Sequence, residues 1–151
     1  MKQWLLAGAL VSLMSGCVIS VNDDSDGPRY RNVQMTGNAN KPYSDAVYAD
    51  DFVFLSGALG TLPTTGELAA GGIGPETLQA MQNISRTLAE FNLTTDDLVK
   101  CTVFLADMSE WSAMNEVYTT FFREPPARSA VEVSGLGLDA RVEIECIAYD
   151  D

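Results

Sequence analysis

The chain has 151 residues, 46% of them hydrophobic, which is enough for one domain with a substantial apolar core. Its 9 basic and 21 acidic side chains give a formal net charge of −12, and this disfavours a nucleic-acid partner, whose phosphates must be neutralised by Lys and Arg. Histidine is absent, so Ser-His-Asp and Cys-His nucleophile systems and the common zinc and iron ligand sets are excluded; any chemistry must use carboxylates, arginine, tyrosine, hydroxyls, backbone groups and water.

Residues 1–17 read as an address. Lys2 gives a positive start, Trp4 to Met14 an apolar run, and Met14-Ser15-Gly16-Cys17 a small-residue cleavage pattern. The run is too short to span a bilayer core, which needs about 20 residues. The ending is similar to a bacterial lipobox, with Met14 where leucine is usual, and implies a leader over 1–16 and Cys17 as the lipidated first residue. An ordinary signal peptide with an incidental cysteine is the alternative. Val18, rather than aspartate, follows the cysteine and implies an outer-membrane anchor facing the periplasm. Residues 17–40, with Asp23, Asp24, Asp26, Gly27 and Pro28, have the composition of an acidic, extended tether. The folded domain is expected over 41–151.

Within that domain, Tyr43 to Tyr48 and Phe52 to Ser56, separated by Asp50-Asp51, predict a β-hairpin. Pro63-Thr64-Thr65-Gly66 suits a type I turn closed by a left-handed glycine, and Gly71-Gly72 ends the strand region. Pro75 opens a helix whose apolar face is expected from Leu78, Met81, Ile84, Leu88 and Phe91. Leu98 to Leu105 reads as a buried strand. Asp107 with Glu110 resembles a capping box for a second helix, with Trp111, Met114, Val117, Phe121 and Phe122 as its apolar stripe and Pro125-Pro126 as its stop. Two alternating strands, Arg128 to Val133 and Arg141 to Tyr149, close the chain around the glycines of SGLGL. The order ββ(β)αβαββ predicts a mixed α/β (α+β) sheet with two helices on one face.

Alternation assigns Val131 and Val133 to one face of the first closing strand, and Arg128, Ala130 and Glu132 to the other. In the last strand Val142, Ile144, Cys146 and Ala148 lie opposite Arg141, Glu143 and Glu145. The valine-bearing faces are expected beneath the helices. The charged face is then either solvated or the lining of a site against another subunit.

Here the sequence resembles a known family. PYSDAV at 42–47, FLSGALG at 54–60, TGEL at 65–68, VKCTVFLADM at 99–108, MNEVYTTFF at 114–122, PARSAVEV at 126–133 and VEIECIA at 142–148 are similar to segments of the RidA (YjgF, L-PSP) family. The resemblance covers roughly 40–149. It implies a chorismate-mutase-like homotrimer, with three sheets around a central barrel and three ligand pockets between subunits. It also implies hydrolysis of reactive 2-imino or enamine acids to 2-keto acids and ammonia, with neither metal nor cofactor.

By that resemblance Arg128 is the carboxylate clamp, suited by its bidentate fork and permanent charge. Glu143 is the acid/base that activates water and protonates the leaving nitrogen. Tyr43 joins them as a catalytic position, and Ser56, Asn115 and Ala130 bind substrate. Without the resemblance, Arg128 is a surface or salt-bridge arginine, Asn115 an ordinary polar helix residue, Ser56 a strand-end serine and Glu145 an ion-pair partner for Arg141. Ala130 stands where many deaminating members carry cysteine; the contact there is expected through the backbone. Ala58 and Gly60 replace a common Gln and Pro.

Cys101 and Cys146 read by default as buried free thiols, and a disulfide requires that their strands be neighbours. Asn83-Ile84-Ser85 and Asn92-Leu93-Thr94 match glycosylation sequons that a bacterial-type leader makes coincidental. Two rivals accompany the deaminase: a non-enzymatic trimer binding a small metabolite or protein at the membrane surface, and a ribonuclease, which the charge and missing histidines oppose.

Overall fold

The structure, a computed structural model, describes residues 27–31 and 42–151. Cys17, the leader and most of the acidic tether lie outside these residues. The described elements are β1 (Arg29–Arg31), β2 (Ala46–Ala49), β3 (Phe52–Leu55), β4 (Ala58–Leu59), α1 (Ile73–Ala89), β5 (Leu98–Leu105), α2 (Trp111–Tyr118), β6 (Ala127–Glu132) and β7 (Val142–Tyr149). They form one mixed sheet, ordered β1-β2-β3-β7-β5-β6, with β4 following β3 along the same edge of β7. Only β5 and β6 pair in parallel; the other pairings are antiparallel. Both helices pack on one face, as expected. β1 falls inside the stretch read as tether: Arg29 to Arg31 pair with Tyr48 to Ala46, so the sheet begins earlier than composition indicated.

The β2–β3 hairpin turns at Asp50, whose φ of 51° is one that aspartate tolerates well. Val53 and Leu55 then point into the core, while Phe52 and Phe54 are 39% and 45% exposed on the opposite, open face. α1 starts two residues ahead of Pro75, after Gly71 and Gly72 at φ 115° and 91°. Ile73, Thr77, Ala80, Met81, Ile84 and Leu88 are buried, whereas Leu78, expected in the stripe, is 44% exposed. Thr77 tolerates burial because its hydroxyl donates to the Ile73 carbonyl at 2.7 Å. Phe91 lies past the helix and stacks on Tyr48.

Asp107 accepts a hydrogen bond from the Ser109 N–H at 2.8 Å and so caps the 3-10 turn Met108–Glu110 that leads into α2. The expected capping box does not form, because Glu110 is drawn to Arg141. α2 buries Met114 and Tyr118 against the sheet and leaves Trp111 43% exposed. The core is the interleaving of these helix residues with Val53, Leu55, Val103, Leu105, Val142, Ile144 and Ala148.

The two closing strands flank β5, which lies between β6 and β7. One further expectation is corrected. Cys101 and Cys146 are not free thiols: they face each other across the β5–β7 pair with Cα atoms 4.1 Å apart and form a disulfide. Alternation placed both on an apolar face, but only the register makes them partners. Closing a separation of 45 residues restricts the unfolded chain, a contribution of about 4 kcal/mol in the chain-entropy account. Reduction should therefore lower unfolding free energy by about 2–4 kcal/mol, read from urea midpoints with and without reductant. Identical midpoints would mean the folded protein does not depend on the bridge.

Candidate active site

A cavity of about 590 Å³ opens beside the junction of β3 and β4, lined by Tyr43, Ser56 and Glu143 together with Asp45, Asn83 and Leu138. Three of the residues expected at the site thus meet here. Ser56 sits at the break between the two strands; its hydroxyl donates to the Ser44 carbonyl at 2.7 Å and its N–H to the Asp45 carbonyl at 3.0 Å. These bonds pin the segment carrying Tyr43 against the strand break. Glu143 projects from β7 opposite Leu59 and lies over Gly57. A Cβ at Gly57 would come within 1.9 Å of Glu143 Oε1, so glycine is what leaves room for the carboxylate. Burial, and then the neighbouring charge of Glu145, hold the Glu143 carboxyl above its ordinary range. A proton-exchanging carboxyl inside a small cavity is the chemistry the arrangement offers.

Sequence reading missed Asn83, treating it as a chance sequon. It is buried, and its amide donates to the Leu59 and Thr61 carbonyls, both at 2.9 Å. It ties α1 to the cavity wall, and its placement in α1 one residue before core Ile84 was the available signal. Gly60 is similarly constrained: a Cβ would lie 2.5 Å from the Glu76 carbonyl oxygen.

Arg128, Asn115 and Ala130 form a second group elsewhere. β6 is the edge strand, and its parallel register sets Arg128 beside buried Cys101 and Ala130 beside buried Val103. Arg128 therefore points to the helix side, not to the open face that alternation had assigned it, and Val131 is 42% exposed instead. The physical reason is that an edge position lets a long cationic side chain lie under α2 and still reach outward. Arg128 Nη1 donates to Asn115 Oδ1 at 2.7 Å, and its guanidinium lies 4.8 Å from the Tyr118 ring centroid. Burial pushes the Tyr118 hydroxyl up to about 12, with the Arg128 charge pulling the other way.

Glu143 occupies the open face, as do Glu145 and Tyr149. Arg141 pairs with Glu110 across the loop, so the expected Arg141–Glu145 pair is replaced. Arg128 and Glu143 are thus on opposite sides of one sheet. They are separated by two strand spacings of about 4.8 Å and by three residues of about 3.4 Å each, on the order of 14 Å between backbones.

Fold and cavity define a small α+β protein that presents a carboxyl group to a cavity at a strand junction, a setting suited to a small molecule. The profile of the Endoribonuclease L-PSP family matches residues 35–150, and the chain belongs to that family. It is similar to a RutC family protein of Pyrococcus horikoshii, 43% identical over 125 residues, 80% of this chain and 99% of the relative. It is also similar to the mouse protein named 2-iminobutanoate/2-iminopropanoate deaminase, at 42% over 108 residues, 71% of this chain and 80% of that one. The crystal structure of the E. coli YjgF gene product superposes with a TM-score of 0.76 at 31% identity, covering 82% of this chain and 99% of the other.

The raised Glu143 carboxyl has a consequence for stability. The folded state binds that proton more tightly than the unfolded chain does, so ionisation costs stability as pH rises through the folded value. Glu143→Gln should be more stable than wild type at pH 7, and the gain should vanish below the ordinary glutamate pKa of about 4.3. Chemical unfolding at both pH values checks this; an equal gain at low pH would exclude ionisation as its source.

Proposed function

We propose that this chain hydrolyses reactive 2-imino acids, such as 2-iminopropanoate and 2-iminobutanoate, to 2-keto acids and ammonia at a site shared by two copies. The observation that carries the proposal is the separation of Arg128 from Glu143. A small imino acid spans only a few bonds between its carboxylate and imine carbon. It cannot touch both groups of one protomer, yet Arg128 at an edge strand of one copy can reach the Glu143 cavity of the next. Phe52, Phe54 and Tyr149, 39–45% exposed on the open face, supply apolar surface for such an assembly. A homotrimer around a central barrel fits these requirements, and relatives named as 2-iminobutanoate/2-iminopropanoate deaminases support the substrate.

In this mechanism Arg128 of one copy holds the substrate carboxylate bidentately. The protonated imine then lies in the cavity of the other copy, where ionised Glu143 stabilises its charge and takes a proton from water. The water oxygen bonds to C2 as the C=N π pair moves onto nitrogen, giving a tetrahedral amino alcohol. Glu143 passes its proton to nitrogen; the C–N bond breaks, and the hydroxyl returns its proton to Glu143 as the C2 carbonyl forms. Tyr43 and Ser56 orient the water and the leaving nitrogen. Proton transfer by a placed carboxyl contributes about 10²–10⁴ in rate. RNA is a poor alternative for a chain of charge −12 whose cavity wall carries Asp45 and Glu143.

We place the protein outside the cytoplasm, anchored through lipid on Cys17. The leader pattern supports this, and so does the Cys101–Cys146 disulfide, a bond favoured in oxidising compartments.

The shared site is tested by mixing two inactive variants. Arg128→Ala and Glu143→Gln should each lose at least about 100-fold in kcat/KM for ammonia release. Unfolded and refolded together in equal amounts, they should regain about one quarter of wild-type activity, because one interface in four pairs an intact arginine with an intact glutamate. No recovery in mixed assemblies would place both groups of a site on one protomer.

A further inference from the structure

The chain holds 21 carboxylates, yet Arg128 has no ion-pair partner among the described residues. Arg123 lies on Asp96 and Arg141 on Glu110; Arg128 is instead held entirely by neutral groups. These come from one stripe of α2: Trp111, Asn115 and Tyr118 stand at positions i, i+4 and i+7, which share a helical face. Asn115 accepts one guanidinium N–H at 2.7 Å, the Tyr118 ring lies beneath the guanidinium at 4.8 Å, and the Trp111 ring is 5.9 Å away. Phe122 in turn packs on Tyr118 with ring centroids 4.8 Å apart, in a tilted contact.

A carboxylate at this position would hold the guanidinium harder, but it would occupy the N–H groups and cancel the charge that a substrate carboxylate needs. A ring face attracts the cation through its quadrupole and leaves the outward N–H fork free. The hydroxyl adds nothing to this: Tyr118 is 1% exposed, and its oxygen has no hydrogen-bond partner among the described residues.

We propose that Tyr118 is a positioning residue for Arg128, acting through the face of its ring to set the guanidinium for a substrate carboxylate. The inference rests on the reading of Arg128 as the carboxylate clamp. It assigns Trp111 a supporting part in the same cradle, and it makes the ring, not the phenol, the working feature.

The test replaces Tyr118 with phenylalanine and then with mono-, di- and trifluorinated phenylalanines, which weaken the ring quadrupole at nearly constant size. Tyr118→Phe should match wild type in KM for 2-iminobutanoate. Across the fluorinated series KM, and the inhibition constant of 2-oxobutanoate as a carboxylate probe, should rise stepwise by about threefold to tenfold in total. Throughout, kcat should stay within twofold and the thermal midpoint within about 5 °C. Flat KM and inhibition constants across the series, beside an Arg128→Lys control that weakens both, would overturn the positioning role while leaving the clamp intact. An Arg128→Lys variant with unchanged KM would overturn the clamp and the positioning role together.

Discussion

A β-sheet sends alternate side chains to opposite faces, and the parallel pairing of β6 with β5 commits Arg128 to the helix side of this one. The antiparallel pairing of β7 with β5 commits Glu143 to the other side. No side-chain rotation brings them to one small molecule, because the sheet backbone lies between them. The placement of the candidate residues follows: a cavity lined by Glu143 without Arg128, and an edge strand that carries Arg128 away from that cavity. In the proposed function, each protomer carries both halves of a site and completes neither alone.

Glu143 and Arg128 sit in different electrostatic settings. Glu143 is partly desolvated over Gly57 and sits near Glu145, so its carboxyl holds its proton more readily than an ordinary glutamate. Arg128 lies among an amide and aromatic rings, which keep a permanent charge in place without neutralising it. In a chain with a strong excess of acidic side chains, keeping one arginine clear of carboxylates takes a specific structure, and α2 supplies it. The Cys101–Cys146 disulfide is the lateral neighbour of that arrangement, since Cys101 pairs with Arg128 on one side and with Cys146 on the other.

Much of the fold was legible. The apolar run from Leu98 to Leu105, the hairpin around Asp50-Asp51, and the two helices followed from periodicity and turn chemistry, and β5 has the predicted bounds. What alternation could not supply was which strands are neighbours. It divides Arg128 to Val133 into two faces but does not say which is inward on an edge strand, and the more apolar valine face was the wrong choice. The same gap hid the disulfide. Leu78 was misplaced because the buried face also takes in Thr77, Ala80 and Thr87, residues too small or polar to be read as core, and this centres the face away from Leu78. β1 was hidden by its length, as three residues such as Arg29 to Arg31 carry no readable pattern. Within the candidate site, Tyr43, Ser56 and Glu143 do share a cavity, while Arg128 and Asn115 are joined by a hydrogen bond of their own.

The claim on which the account rests is that one ligand is held by two copies. A crystal structure of the oxidised protein soaked with 2-oxobutanoate examines it directly. The expected result is a ligand carboxylate on the Arg128 fork of one copy and the C2 carbonyl within hydrogen-bond reach of Glu143 from another. A ligand held in the cavity by groups of a single protomer, with Arg128 turned away, would contradict it.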